Sequence, residues 1–175
     1  MQFMISDPIP LSEEEAFTLM RDDLSALVPY MPDTEAIDEL SREDLGDQVK
    51  TVKRWQASSD QVPKALRGVI KPELLSWRDH ATWSEADRQG TWELEAMTGG
   101  ELFSCSGVTA IKPHSEGSIL EITVNLDIYP ENLPGVPKLL ARTIRGQVEK
   151  FLGQILSDNM RQLAQSITRY ADSKR

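Results

Sequence analysis

Residues 136–170, VPKLLARTIRGQVEKFLGQILSDNMRQLAQSITRY, decide how the rest of the chain must fold. Leu140, Ile144, Val148, Leu152, Leu156 and Met160 recur every four residues and are followed by Leu163, Ile167 and Tyr170. That spacing predicts an amphipathic helix and not a strand. At 1.5 Å per residue it would run roughly 50 Å, enough to cross a small domain. Its apolar side needs a partner, and the preceding residues read mostly as strands, so the partner is a sheet drawn from residues 35–130. A strict four-residue step overshoots each turn by roughly 40°, so the stripe is expected to wind around the helix. Leu140, Ile144 and Val148, in the first part of the helix, are then expected to face elsewhere than Leu156, Leu163 and Ile167, which lie against the deeper sheet. Gly146 and Gly153 would allow a bend or close packing between the two parts.

Upstream, Gln2–Pro10 alternates weakly and contains Pro8 and Pro10, which suits an edge strand. Ser12 and Glu15 form a capping box, and Glu13, Glu14 and Glu15 sit where a helix dipole favours negative charge. Ala16, Phe17, Met20, Leu24 and Leu27 supply that helix's buried stripe, and Pro29 and Pro32 end it. Thr34–Leu45 and Gln48–Ala57 read as a hairpin turning at Gly46-Asp47. Its charges, including Asp38, Glu39, Lys50, Lys53 and Arg54, suit a solvated pair of strands with cross-strand ion pairs. Asp60 is placed to cap a short helix through Val62, Leu66 and Val69.

A strand follows over Glu73–Glu85. Leu75, Trp77, Asp79, Ala81 and Trp83 share one face, and Ser76, Arg78, His80 and Thr82 the other. Turns at Arg88–Gly90, Gly99-Gly100 and Glu116-Gly117 separate three further strands. In the last of them Leu120, Ile122, Val124, Leu126 and Ile128 point inward. Pro130, Pro134 and Pro137 lead into the final helix.

A chain of 175 residues with 39% hydrophobic and 27% charged residues suits one folded domain over 1–175. The absence of a span of about 20 apolar residues and of a basic-then-apolar leader points to the cytoplasm. The net charge of -9 is concentrated in residues 1–45, which hold 12 acidic and 2 basic side chains. No basic, aromatic-interleaved patch suggests a nucleic-acid partner. Cys105 is the single cysteine, so no internal disulfide forms, and its strand position reads as a small buried hydrophobe. With only His80 and His114, no metal-ligand spacing is present, and neither a metal nor a cofactor is expected.

The order of strand, helix, hairpin, short helix, meander and long helix resembles the START-like, or SRPBCC, superfamily. Residues 62–83, VPKALRGVIKPELLSWRDHATW, are similar to a pattern of its small members through Pro63, Leu66 and Trp77. The resemblance covers nearly the whole chain as topology. It implies an α+β helix-grip fold: a curved antiparallel sheet of about seven strands around the C-terminal helix, with short helices near the N-terminus and mid-chain. It further implies a cavity for a hydrophobic small molecule or lipid. The expected lining is Trp77, Trp83, Phe103, Leu120, Ile122, Val124, Leu140, Ile144 and Val148. Some members are carriers and others are cyclases or dehydratases with a few polar residues in the cavity. For the second case Asp79 and His80 are the acid-base candidates, and alternation along their strand allows only one of them inside. Binding or transport is the first reading, enzyme the second, and a protein-interaction module using the acidic first helix the third.

Overall fold

The structure is a computed structural model describing residues 1–68, 70–97, 101–132 and 135–175. It contains seven strands, β1 (Gln2–Ile9), β2 (Thr34–Asp44), β3 (Gln48–Ala57), β4 (Ser76–Ser84), β5 (Gln89–Ala96), β6 (Phe103–His114) and β7 (Gly117–Ile128), and two α-helices, α1 (Glu13–Asp22) and α2 (Lys138–Ser173). The strands form one antiparallel sheet in the order β1-β7-β6-β5-β4-β3-β2. Each neighbour from β2 to β7 is also the next in sequence, and the connections are short except between β3 and β4, where residues 58–75 intervene. Only β1 returns from the far end, placing Pro8 on an edge where its missing N–H costs no ladder bond. This is the α+β helix-grip architecture, with α2 lying across the inner face of the curved sheet.

Local chemistry accounts for the boundaries. Ser12 Oγ accepts from the Glu15 amide and Glu15 Oε2 accepts from the Ser12 amide, closing the capping box of α1. Glu13 lies 3.7 Å from Arg88, so two of the three leading glutamates are engaged within the fold. The β2–β3 turn holds Gly46 at φ +89°, a backbone geometry that glycine adopts without penalty. The Gly99-Gly100 turn, Val69 and Pro134 lie outside the described residues. Where one short helix is expected from Asp60, the chain makes separate 3-10 turns at Ser59–Gln61 and Lys64–Leu66, and another at Pro72–Leu75 precedes β4. Ser58, not Asp60, caps the first of them. Pro63 and Pro72 interrupt the amide ladder that a continuous helix would need.

Two close approaches shape the inner face. An added Cβ at Gly90 would lie 2.6 Å from the Trp83 ring, and one at Gly107 would lie 2.2 Å from Thr123 O and 2.4 Å from the Trp92 ring. Trp83 and Trp92 are the cross-strand partners of these glycines, so each indole lies flat over a position with no side chain.

The long helix departs from its expected pattern. Its buried positions include Ala141, Val148, Phe151, Ile155, Asn159, Leu163, Ser166 and Ile167. They advance mainly by threes and fours along one face instead of winding around the helix. Leu140, in the first turn and at the flank of that face, is exposed. The four-residue stripe followed apolar residues alone, whereas the buried seam includes Asn159 and Ser166. Gly153 gives room to the Met1 side chain, while Gly146 faces open space. Among the described residues no helix is long and apolar enough to cross a membrane.

Candidate functional site

Register places the site. Lys53, Asp79, Leu94, Cys105 and Leu126 form one cross-strand row through β3 to β7. Trp55 and Trp77 pair in the next row, with rings stacked at 6.2 Å and 11°. Strand alternation then fixes the β4 faces: Trp77, Asp79, Ala81 and Trp83 look toward α2. His80 is on the outer face, exposed, with Nε2 2.9 Å from Glu95 Oε2. As a candidate for interior chemistry, His80 is therefore corrected by the pleat, and Asp79 takes that place.

Between sheet and α2 lies a cavity of about 80 Å³. Trp55, Trp77, Asp79, Trp83 and Trp92 line its sheet side, and Leu156, Asn159, Met160 and Leu163 its helix side. A second void of about 50 Å³ adjoins it, bounded by Phe103, Leu126, Leu152 and Ile155. The two share Trp77, Leu94 and Leu156 as a partition. Of the residues expected to line a cavity, Trp77, Trp83 and Ile122 border the larger void and Trp77 and Phe103 the smaller. Leu120 and Val124 are packed core. Val148 is buried and Ile144 packs against the core, but neither borders a void, and Leu140 faces solvent. The voids thus lie against the middle of α2, not its first turns.

The polar atoms in this apolar chamber are unusual. Trp92 Nε1 donates to Thr109 Oγ1 at 3.0 Å. Trp55 Nε1, Trp83 Nε1, Asp79 Oδ1 and Asn159 Oδ1 are buried and have no hydrogen-bond partner among the described residues. Buried polar atoms are normally paired, because each unmet one costs on the order of 1–3 kcal/mol. Four around one cavity form a set of two donors and two acceptors.

Burial pushes the Asp79 carboxyl up to about 6, against the pull of Lys53, Trp55 and His80. Trp55 thus acts on the carboxylate, although its N–H stops short of a closed hydrogen bond. Lys53 is almost fully buried, its Nζ donates to Arg21 O at 2.7 Å, and Glu39 lies 3.8 Å away. Its ammonium therefore sits against the last turn of α1, where a cation is favoured, and burial lowers its pKa. The expectation that Lys53 belongs to a solvated hairpin fails because it shares a strand face with Val49, Thr51 and Ala57, all buried. Arg54, on the other face, does make the expected cross-strand pair, 2.6 Å from Asp38. Cys105 is buried, and its thiol is pushed up to about 12 by burial and by Asp79, so it stays protonated at neutral pH. Sequence reasoning missed Lys53, Trp55 and Asn159, although the alternation of β3 carries the signal for the first two. Among the described residues no cluster of three or more His, Cys, Asp or Glu side chains is placed to hold a metal ion. Chemically, the chamber offers a carboxyl able to gain or lose a proton near neutrality, two indole donors and an amide acceptor.

Residues 20–156 match the family model DUF2505, described as "Protein of unknown function". The chain belongs to this family. No curated protein matches it. Among solved structures it is similar to TTHA0849 from Thermus thermophilus, at 19% identity and a TM-score of 0.61 over 95% of this chain and 97% of the other. It is also similar to the Zhui aromatase/cyclase from Streptomyces sp. R1128, at 12% identity and a TM-score of 0.61 over 98% and 92%. Ginseng major latex-like protein 151 from Panax ginseng aligns at 12% identity and a TM-score of 0.58 over 97% and 96%. The DUF2505 chain thus has the START-like, or SRPBCC, fold. At these identities the likeness is one of fold.

Proposed function

We propose that this DUF2505 protein binds a small hydrophobic molecule in the chamber between the sheet and α2. The observation that carries this is the set of unpaired polar atoms, Trp55 Nε1, Trp83 Nε1, Asp79 Oδ1 and Asn159 Oδ1, around otherwise apolar walls. Apolar lining with a few placed polar groups is the composition of ligand pockets, and these atoms take their partners from outside the chain. Size favours a compact molecule over an acyl chain. A cavity of about 150 Å³ is what holds benzene in an engineered core, whereas the larger void here is about 80 Å³. A ring is accommodated when Leu156 and Trp77 shift and the two voids join; a long chain needs α2 to move away.

The test is methyl NMR of the protein titrated with toluene. Shifts at Leu94, Ile122, Leu156 and Leu163 are expected, and Leu156→Phe, which fills the partition, should remove them. Unmoved cavity methyls would count against binding.

A second reading is acid-base catalysis of the aromatase/cyclase kind, and the Asp79 carboxyl near 6 favours it, since general acids and bases work best with pKa values close to the ambient pH. Turnover that survives in Asp79→Asn would remove this reading and leave the binding one intact.

A further inference from the structure

Building on the binding reading, we infer that the chamber selects its ligand through a hydroxyl group that bridges Trp55 Nε1 and Asp79 Oδ1, making a compact neutral alcohol or phenol its ligand class. Trp55 Nε1 is a donor only, and Asp79 Oδ1, when ionised, is an acceptor only. Both are buried and both lack a closed hydrogen bond among the described residues. The register sets Trp55 diagonally across from Asp79 on the same face, one row from Lys53, and both residues line the chamber. A hydroxyl oxygen accepts from the indole while its proton goes to the carboxylate, so one group satisfies both. A carbonyl meets the indole and leaves Asp79 unmet. An ammonium meets Asp79, leaves the indole unmet, and adds a cation to the face that already holds Lys53. A hydrocarbon leaves both unmet.

Trp83 Nε1 and Asn159 Oδ1 repeat the combination of one donor and one acceptor in the same chamber, with Trp83 at 5% and Asn159 at 8% exposure. A second hydroxyl on the ligand has partners there. The stacked Trp55–Trp77 pair presents flat rings at 11° to each other, which suits a planar molecule. Water, which also donates and accepts, fits the same bridge. Phenol can take over its hydrogen bonds; toluene, of nearly the same size, cannot.

The test compares phenol with toluene by NMR titration of the full chain. Transfer from water alone favours toluene, because phenol gives up solvation of its hydroxyl. The hydroxyl bridge predicts the reverse, with phenol bound at least about tenfold more tightly, as expected when buried polar groups gain partners. Trp55→Phe, which keeps the ring and removes the N–H, should erase that preference. If the variant does not fold, the wild-type Trp55 indole N–H resonance supplies the second measurement: it should move downfield with phenol and not with toluene. Toluene binding as tightly as phenol, a preference undiminished in Trp55→Phe, or an indole resonance indifferent to phenol overturns the bridge and leaves hydrophobic binding standing. Cavity methyls that respond to neither ring overturn both.

Discussion

Along the inner face of the sheet, the β6–β7 end and the β3–β4 end treat buried polar atoms differently. At the first, Cys105, Ile111, Leu120, Val124 and Ile128 are packed core. The polar side chains there are paired: Ser118 Oγ donates to Leu11 O at 2.8 Å, and Thr109 Oγ1 accepts from Trp92. At the second, Thr51 Oγ1, Trp55 Nε1, Asp79 Oδ1 and Trp83 Nε1 are all unpaired. One sheet with one pleat therefore holds a region built for stability and a region that gives up stability. The unmet polar atoms gathered at the β3–β4 end are the feature on which the proposed binding rests, and the contrast between the two ends is what can be tested.

Truncation should separate the two ends most strongly. Leu120 is buried to 1% exposure in the packed end, so Leu120→Ala is expected to cost about 2–5 kcal/mol in urea unfolding. Leu156 is half-buried and already faces both voids, so Leu156→Ala should cost less, about 1–2 kcal/mol. It should also join the voids and tighten toluene binding. Equal costs with no gain in binding would erase the distinction between the ends.

The next effect is electrostatic. An acid whose folded pKa is raised weakens the fold wherever it is ionised. Asp79 stands at about 6 in the folded chain against an ordinary value of 3.8. Below 3.8 it is protonated in both the folded and the unfolded chain and contributes nothing. Its cost grows as pH rises from 3.8 to 6 and levels off above, at up to about 3 kcal/mol. Asp79→Asn lacks this cost. Its stability advantage over the wild type should therefore grow between about pH 4 and pH 7 when both are unfolded in urea. An advantage independent of pH would mean that Asp79 titrates as an ordinary carboxylate.

How much of this was legible in the chain depends on whether a residue obeyed its type. The clean alternation of Leu120, Ile122, Val124, Leu126 and Ile128 placed β7, and turn residues placed the hairpins, because apolar burial dominates there. The Trp77–Trp83 face was legible as a face; which way it pointed needed the helix in place. Lys53 and Asn159 escape a sequence reading for one reason: charge and amide are ordinarily marks of the surface. Both lie on a buried stripe, and such residues go inside only when the fold supplies a partner or a use. For Lys53 the partner is Arg21 O, contributed by a distant segment that no local pattern announces. Following apolar residues alone likewise carried the α2 stripe out to Leu140, which faces water.

The smallest expected effect comes from the outer face of the same strand. His80 is bound to Glu95, and both side chains are about half exposed, so the pair contributes little to stability. Its charge does reach Asp79, but it is the last of the causes that hold the carboxyl down, while Lys53, directly across on the inner face, is the largest of them. Following the Asp79 carboxyl by carbon-13 NMR against pH should therefore show a clear upward move of its midpoint in Lys53→Met and a much smaller one in His80→Gln. His80→Gln should also leave unfolding within about 0.5 kcal/mol of wild type and leave toluene binding unaltered. A larger shift from His80 than from Lys53 would mean that the pleat does not isolate the chamber from the outer face, and the contrast between the two ends of the sheet would then have to include both of its sides.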